Sequence, residues 1–437
     1  MKLSSMLIGA CSAFALFATA QAETVTIATV NNGDMVTMKG LADDFTKSHP
    51  GIELEWVVLD ENTLRQRVTT DIATKGGQFD VMIIGAYEVP IWANRGWLVP
   101  LTKLQEDEAY DANDLVPSVA DALSVDGKLY AAPFYAESSM LHYRKDLVEA
   151  AGLTMPNAPT WEFIGEAARK MTDREKGING ICLRGLPGWG QLGAVLPATV
   201  NSFGGRLFDE DWNPQFDQPE WHEALQFYVD ILKDAGPAGS SSNGYAEIMA
   251  LFQQGKCAMW MDATVAASGL TGADSTVADK MAWALAPNTG LGKTAGWFWT
   301  WTLAIPAGTA QQDAAAEFIA WATSKEYTKL VAGVKGWAQV PPGTRTSLYE
   351  NQTYLDAAPF AQLTIDSIRA ADANNPSVKP VPYTGVQFAA IPEWIGIGDS
   401  ITQQFSAAIA GTKTVEEALA EAQNIATREM RAAGYID

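Results

Sequence analysis

Histidine and cysteine are both scarce in this chain, at three of each in 437 residues. His49, His142 and His222 lie far apart, none at the spacing of a metal-ligand pair, and no H-E-x-x-H occurs. A zinc centre or a catalytic histidine therefore has little to be built from. Positive charge is short as well: 30 Lys and Arg stand against 51 Asp and Glu, a formal net charge of −21. Such a field repels phosphate backbones and anionic lipid surfaces, which excludes nucleic acid as a partner. The one phosphate-loop candidate, GLGKT at 290–294, fails because Pro287 stands where the motif needs a glycine. No internal repeat or low-complexity linker is present, so neither a solenoid nor a tethered array is indicated.

Long apolar runs are also missing, and the exception is informative. Lys2, the apolar stretch MLIGACSAFALFATA and Ala20-Gln21-Ala22 have the form of a secretory signal. The stretch is shorter than the roughly 20 residues a membrane helix needs. Cleavage after Ala22 is expected, giving an exported, periplasmic chain that begins at Glu23. Lipidation at Cys11 is the alternative, but its apolar region would span only Leu3 to Ala10 while the apolar stretch continues beyond it. Cleavage would remove one lysine and no acidic residue, deepening the charge to −22. Cys182 and Cys257 would remain, and spacing alone leaves open whether they pair or stay as buried thiols.

A hydrophobic fraction of 47% is that of a chain able to bury a large core. It opens with the strand TVTIATV, a turn at Asn31-Asn32-Gly33-Asp34, and a helix with Met38, Leu41, Ala42 and Phe45 at helical spacing. The strand IELEWVVL, a helix over about 62–75 and the strand FDVMIIG complete a βαβαβ unit. This alternation implies an α/β fold with a parallel sheet, whose ligands sit at the carboxyl ends of the strands. Those ends lead into Asn31 to Asp34, Asp60-Glu61-Asn62 and Ala86-Tyr87-Glu88. From about residue 138 the style changes: the strand SMLHYR precedes helices at TWEFIGEAARKM, GQLGAVLPATVNSF, PEWHEALQFYVDILKDAG and YAEIMALFQQG. Strands CAMWMD, MAWALAP and GWFWTWTLAIP follow, then helices to the end. Thr160 reads as an N-cap, and Thr414 with Glu417 as a capping box.

Aromatic residues carry the strongest functional signal. There are 15 tryptophans; Trp189, Trp337 and Trp97 lie beside glycine in loops or strand ends, where a flat apolar ring with an N–H donor can meet a partner. Sugars and polyols match that need with C–H patches and hydroxyls. Trp161, Trp221 and Trp321 sit at helical apolar positions and read as core. Trp297, Trp299 and Trp301 alternate, so an extended strand would put all three on one face. Leu303 continues that face and Phe298 opposes it, so the strand is buried on both sides and part of the indole row is core. Among the many carboxylates Glu137 and Asp262 stand out, either as acceptors for ligand hydroxyls or as a glycosidase pair, a chemistry decided by their separation.

Several segments together resemble the extracellular solute-binding proteins of bacterial ABC importers, the family that contains the maltose-binding protein: PFYAESSMLHYRKDL with AGL and PTWEFIGEAARKM, LFQQGKCAMWMD, LAIPAGTAQQDAAAEFIAWA and TVEEALAEAQNIA. The resemblance spans nearly the whole exported chain and is greatest to the polyol branch, whose ligands are sorbitol and mannitol. It implies a two-lobed clamshell, each lobe a mostly parallel sheet flanked by helices: 23–137 with 287–336, and 138–286 with 337–437. It also implies a monomer that delivers its ligand to a membrane permease, with no cofactor, no metal and no enzymatic step. By this resemblance Glu137 is a hinge-side carboxylate, Asn32, Tyr87 and Glu88 line the cleft from the first lobe, and Asp262 does so from the second. With Trp189, Trp297, Trp299 and Trp337 these form the candidate ligand-binding set; the tryptophan strand would return through the first lobe close to the hinge, which puts Trp299, followed by Trp297, at the ligand and Trp301 in the core. The chain departs from maltose binders in having small Val265 and Ala266 where they carry a stacking tryptophan, and from many relatives in having Trp299-Thr300 in place of a glycine pair. Both departures imply a shortened pocket for one linear polyol or monosaccharide. A periplasmic glycosidase and a ligand-delivery protein for a chemoreceptor are the alternative functions.

Overall fold

A computed structural model describes residues 22–437; the expected signal segment and Cys11 lie outside the described residues. Strand β1 (Glu23–Val30) leads into helix α1 (Gly33–Ser48), which lays Met35, Met38, Ala42 and Phe45 against the sheet. The helix begins at Gly33, so the expected turn is two residues shorter. Strand β2 (Ile52–Leu59) and helix α2 (Glu61–Thr74) follow; Asp60 caps α2 by accepting a 3.0 Å bond from the Thr63 amide. Next come β3 (Val81–Gly85), wholly buried as a strand covered on both faces must be, and the short helix α3 (Glu88–Asn94).

Strand β4 (Ala132–Glu137) passes through the single residue Ser138 into β5 (Ser139–Arg144). Beyond several helices lie β6 (Met259–Ala263), β7 (Met281–Leu285) and β8 (Trp299–Ala304). The first sheet runs β2-β1-β3-β8-β4, with β1 parallel to β2 and β3, and β8 antiparallel to β3 and β4. The second runs β6-β5-β7 and is antiparallel throughout. Its departure from the expected parallel sheet has a simple cause. Met140, at the start of β5, faces Asp262 and Leu285 near the ends of β6 and β7; β5 leaves the junction between the sheets whereas β6 and β7 return to it. The two sheets anchor two lobes, joined at Ser138 and again between β7 and β8.

Trp161, Trp221 and Trp321 support the packing as expected, and each indole N–H finds an acceptor, in Ser202 Oγ, the Arg206 carbonyl and Asp44 respectively. Thr160 caps its helix, and Thr414 forms the capping box with Glu417. His142 is buried in β5, where loss of solvent pushes its ring down to about 4 and keeps it neutral. Cys182 and Cys257 form a disulfide with Cα atoms 5.9 Å apart, fastening the segment before Arg184 to the residues just ahead of β6. No described helix is long and apolar enough to cross a membrane.

Candidate functional site

Strands β1, β2 and β4 of the first sheet end, at their carboxyl termini, on a cavity between the lobes, and the antiparallel β8 begins there. The empty space between these walls, its opening to solvent included, is about 490 Å³. Asn32 follows β1, Glu61 follows β2, and Tyr135 and Glu137 close β4; these line one side with Arg65, Trp297, Trp299 and Trp301. Arg184, Trp189, Gly190, Ala194, Tyr245, Ala263 and Val265 line the other, joined by Gln387.

The tryptophan row faces an arginine. The Arg65 guanidinium carbon lies 4.0, 4.8 and 4.9 Å from the ring centroids of Trp189, Trp299 and Trp301, a cation–π cage. Its N–H groups donate to Glu61 Oε1 at 3.0 and 2.8 Å and to Glu88 at 2.7 Å, so the charge is matched. Trp301 is buried in the core as expected, and its ring also forms part of the cavity wall; Trp297 lines the wall although the strand proper begins only at Trp299. Gly85 makes room for this: a Cβ there would lie 1.9 Å from the Trp299 ring.

Of the candidate residues, Asn32, Glu137, Trp189, Trp297 and Trp299 line the cavity, whereas Asp262, Tyr87, Glu88 and Trp337 do not. Asp262 is saturated: its carboxylate accepts from Arg184 Nε (2.8 Å) and Nη2 (2.5 Å), from Trp260 Nε1 (2.8 Å) and from the Ala263 amide (2.7 Å). It positions Arg184, which reaches the wall in its place. Tyr87 donates its hydroxyl to the Ile391 carbonyl at 2.7 Å and packs its ring behind Trp189. Glu88 accepts from Arg65 and from the Gly85 amide; burial pushes its pKa up even so. Trp337 opens a 3-10 turn at the end of helix Lys325–Lys335, half-buried and away from the cavity.

What remains on the wall is a set of unspent hydrogen-bonding groups. Glu137 is 7% exposed. Burial drives its pKa well above the usual carboxylate range, a shift opposed by Arg184 and reinforced by Asp262, Glu61 and Asp34. The indole N–H groups of Trp189 and Trp299 and Oε1 of Gln387 are buried without partners among the described residues. Asn32 Nδ2 donates to the Tyr135 hydroxyl at 2.9 Å. Buried polar groups seek hydrogen bonds, so this wall is suited to a neutral molecule rich in hydroxyls.

Among the lining residues outside the candidate set, Glu61, Arg65, Tyr135, Tyr245, Arg184 and Gln387 bring hydrogen-bonding side chains. Glu61 belongs to a strand-end segment already marked out; Arg65 is its i,i+4 neighbour and Tyr135 lies two residues before Glu137 on the same strand. Tyr245 at a helix start, and Arg184 and Gln387 in irregular segments, carry no local signal.

Comparison with known proteins agrees with this architecture. The profile of the family described as bacterial extracellular solute-binding protein matches residues 29–329. The mannitol-binding protein of Pseudomonas aeruginosa is 52% identical over 435 residues, 99% of each chain. A solute-binding protein of an ABC transporter from Agrobacterium vitis, solved with bound D-mannitol, is 64% identical, with a TM-score of 0.94 over 94% of this chain and 99% of that one. Another from Agrobacterium radiobacter, in complex with ribitol, is 26% identical, with a TM-score of 0.82 over 94% and 99%. With its clamshell fold, this chain belongs to the bacterial extracellular solute-binding proteins.

Proposed function

We propose that this chain is the periplasmic receptor of an ABC importer for a small neutral polyol, D-mannitol or a near relative such as sorbitol, which it hands to a membrane permease. The observation that carries the reading is the cavity wall, where the charges of Arg65 and Arg184 are matched by their own carboxylates while Glu137 and the Trp189 and Trp299 N–H groups stand ready for hydroxyls. The mannitol and ribitol bound by the relatives support it.

In this mechanism a polyol enters the open cleft and the lobes, 23–137 with 287–336 against 138–286 with 337–437, rotate about the segments that join them. Glu137 accepts from ligand hydroxyls; Trp189 and Trp299 donate to them. A buried hydroxyl left without a partner costs about 1–3 kcal/mol, so a missing or inverted hydroxyl is rejected. A micromolar dissociation constant, about 8 kcal/mol, suffices for capture. The protein acts as a monomer and needs no covalent step. Glycosidase chemistry needs both carboxyl groups beside the bond cleaved, and Asp262 lies off the cavity wall with its carboxylate held by four donors.

The test is calorimetry with hexitols, pentitols, aldoses and maltotriose. Tight binding of a hexitol is expected, with maltotriose far weaker because the wall is closed by Val265, Trp189 and Trp299. Maltotriose bound more tightly than every hexitol, or no polyol bound at all, would overturn the assignment.

A further inference from the structure

The first turn of α2 touches the loop at 187–191 across the cleft. Asn62 Nδ2 donates to the Pro187 carbonyl at 3.1 Å, and Gln191 Nε2 donates to Glu61 Oε2 at 3.1 Å. The loop is fastened to its own lobe: the Gly188 amide donates to Thr402 Oγ1 and the Trp189 amide to Asp399, each at 3.0 Å, on helix Trp394–Ile409. Loop and second lobe therefore move together, and the contact with α2 is made or broken by lobe movement.

Two glycines permit that contact. A Cβ at Gly188 would lie 2.5 Å from Asn62 Oδ1 and 3.0 Å from its Cγ; one at Gly190 would lie 2.1 Å from Glu61 Oε1. Glu61 cannot swing aside freely, because Arg65 holds one of its oxygens and Gln191 the other. Asn62, Pro187, Gly188 and Gln191 lie off the cavity wall. Their contact contributes to the closed form without addressing the ligand.

We propose that the Glu61-Asn62 turn and the Gly188-Gly190 loop form a closure latch, and that the absence of side chains at the two glycines sets ligand affinity by allowing the lobes to meet. This rests on the receptor function proposed above. Affinity through such a contact follows from population: apparent dissociation scales inversely with the fraction of protein able to close. A methyl group at 188 opposes closure by clashing with Asn62. It also strains the loop, since Gly188 has a φ of +133°, a cost that removing Asn62 leaves in place and so separates from the clash.

The experiment compares the wild type, Gly188→Ala, Asn62→Ala and the double variant, reading mannitol affinity by calorimetry and compaction by solution scattering. Gly188→Ala is expected to weaken binding by about tenfold or more and to stay extended at mannitol concentrations that compact the wild type. Adding Asn62→Ala removes the side chain that the methyl meets and is expected to restore most of both losses. Wild-type affinity in Gly188→Ala, or a loss that Asn62→Ala leaves unchanged, would overturn the latch. A cysteine pair, Asn62→Cys with Gly188→Cys, supplies a readout independent of ligand identity. It is expected to cross-link under mild oxidation, and failure to do so would also overturn the latch. If the wild type binds no polyol while the pair cross-links, the functional assignment falls and the latch stands.

Discussion

Asp262 grips Arg184 through two hydrogen bonds, 2.8 Å to Nε and 2.5 Å to Nη2, and Arg184 passes a third N–H to the Gly190 carbonyl at 3.0 Å. Both side chains are buried, at 0% and 6% exposure. Burial alone would disfavour the guanidinium charge, but the carboxylate holds its pKa above the ordinary value. Removing one partner of such a pair leaves a buried charge unmatched, at a cost of about 3–5 kcal/mol. Asp262→Asn is therefore expected to lower the urea midpoint and also to weaken mannitol binding, because it frees a wall residue. Calorimetry and a urea titration check both effects; unchanged values would remove Asp262 from its positioning role.

Glu137 gives the ligand-free protein a pH dependence of known sign. Its carboxyl titrates near 4.5 when unfolded and well above that when buried in the cleft. A carboxyl whose folded pKa is raised contributes its full stability below the unfolded value and loses it as pH rises through the folded value. Glu137→Gln cannot ionise, so it is expected to melt higher than the wild type at neutral pH and to flatten the decline above about pH 4.5. The same change replaces an acceptor with an amide and should weaken mannitol binding by about tenfold or more. Melting curves from pH 5 to 8, with and without mannitol, measure both. A variant that melts no higher than the wild type at neutral pH would contradict the burial argument.

These two residues also show where sequence reasoning held and where it stopped. Glu137 was legible through the family resemblance of PFYAESSMLHYRKDL, which put it on the hinge side of the cleft, and the structure sets it at the end of β4. Asp262 ends a strand too, but whether a carboxylate meets a ligand or another side chain depends on what folds beside it. Here that is Arg184, 78 residues away in the chain. Trp301 likewise shares a face with Trp299, as period-two spacing requires, yet its place on the wall depends on Arg65 from α2. Local periodicity reported most helices and strands, including Thr160 and Thr414 as caps. Partners brought together by tertiary folding, such as Trp189 with Arg65 and Cys182 with Cys257, leave no local pattern.

The disulfide closes a chain separation of 75 residues. In the chain-entropy picture a loop of that size corresponds to about 4 kcal/mol at room temperature, and measured effects run from about 2 to 4. Cys182→Ala with Cys257→Ala is expected to lower the unfolding free energy obtained from a urea titration by an amount of that order. Mannitol affinity in mild conditions should change little, since neither cysteine lines the cavity. Urea titration beside calorimetry separates the two effects; a large loss of affinity at full folding would mean that the bond also positions Arg184.

Trp299 offers the sharpest separation of ring from N–H. Its indole nitrogen is buried without a partner, its ring is seated over Gly85, and it forms one wall of the Arg65 cage. Trp299→Phe keeps an aromatic face toward Arg65 and removes the donor. The hydrogen bond at stake is worth about 0.5–1.5 kcal/mol, and some packing is lost with the smaller ring. Mannitol binding is therefore expected to weaken by about tenfold, whereas the ligand-free variant, relieved of an unsatisfied buried donor, should lose less stability than its reduced size alone implies. Calorimetry compared with the unliganded melting temperature reads the difference. Affinity equal to wild type would show that the ring serves the cage alone and that the N–H meets no hydroxyl.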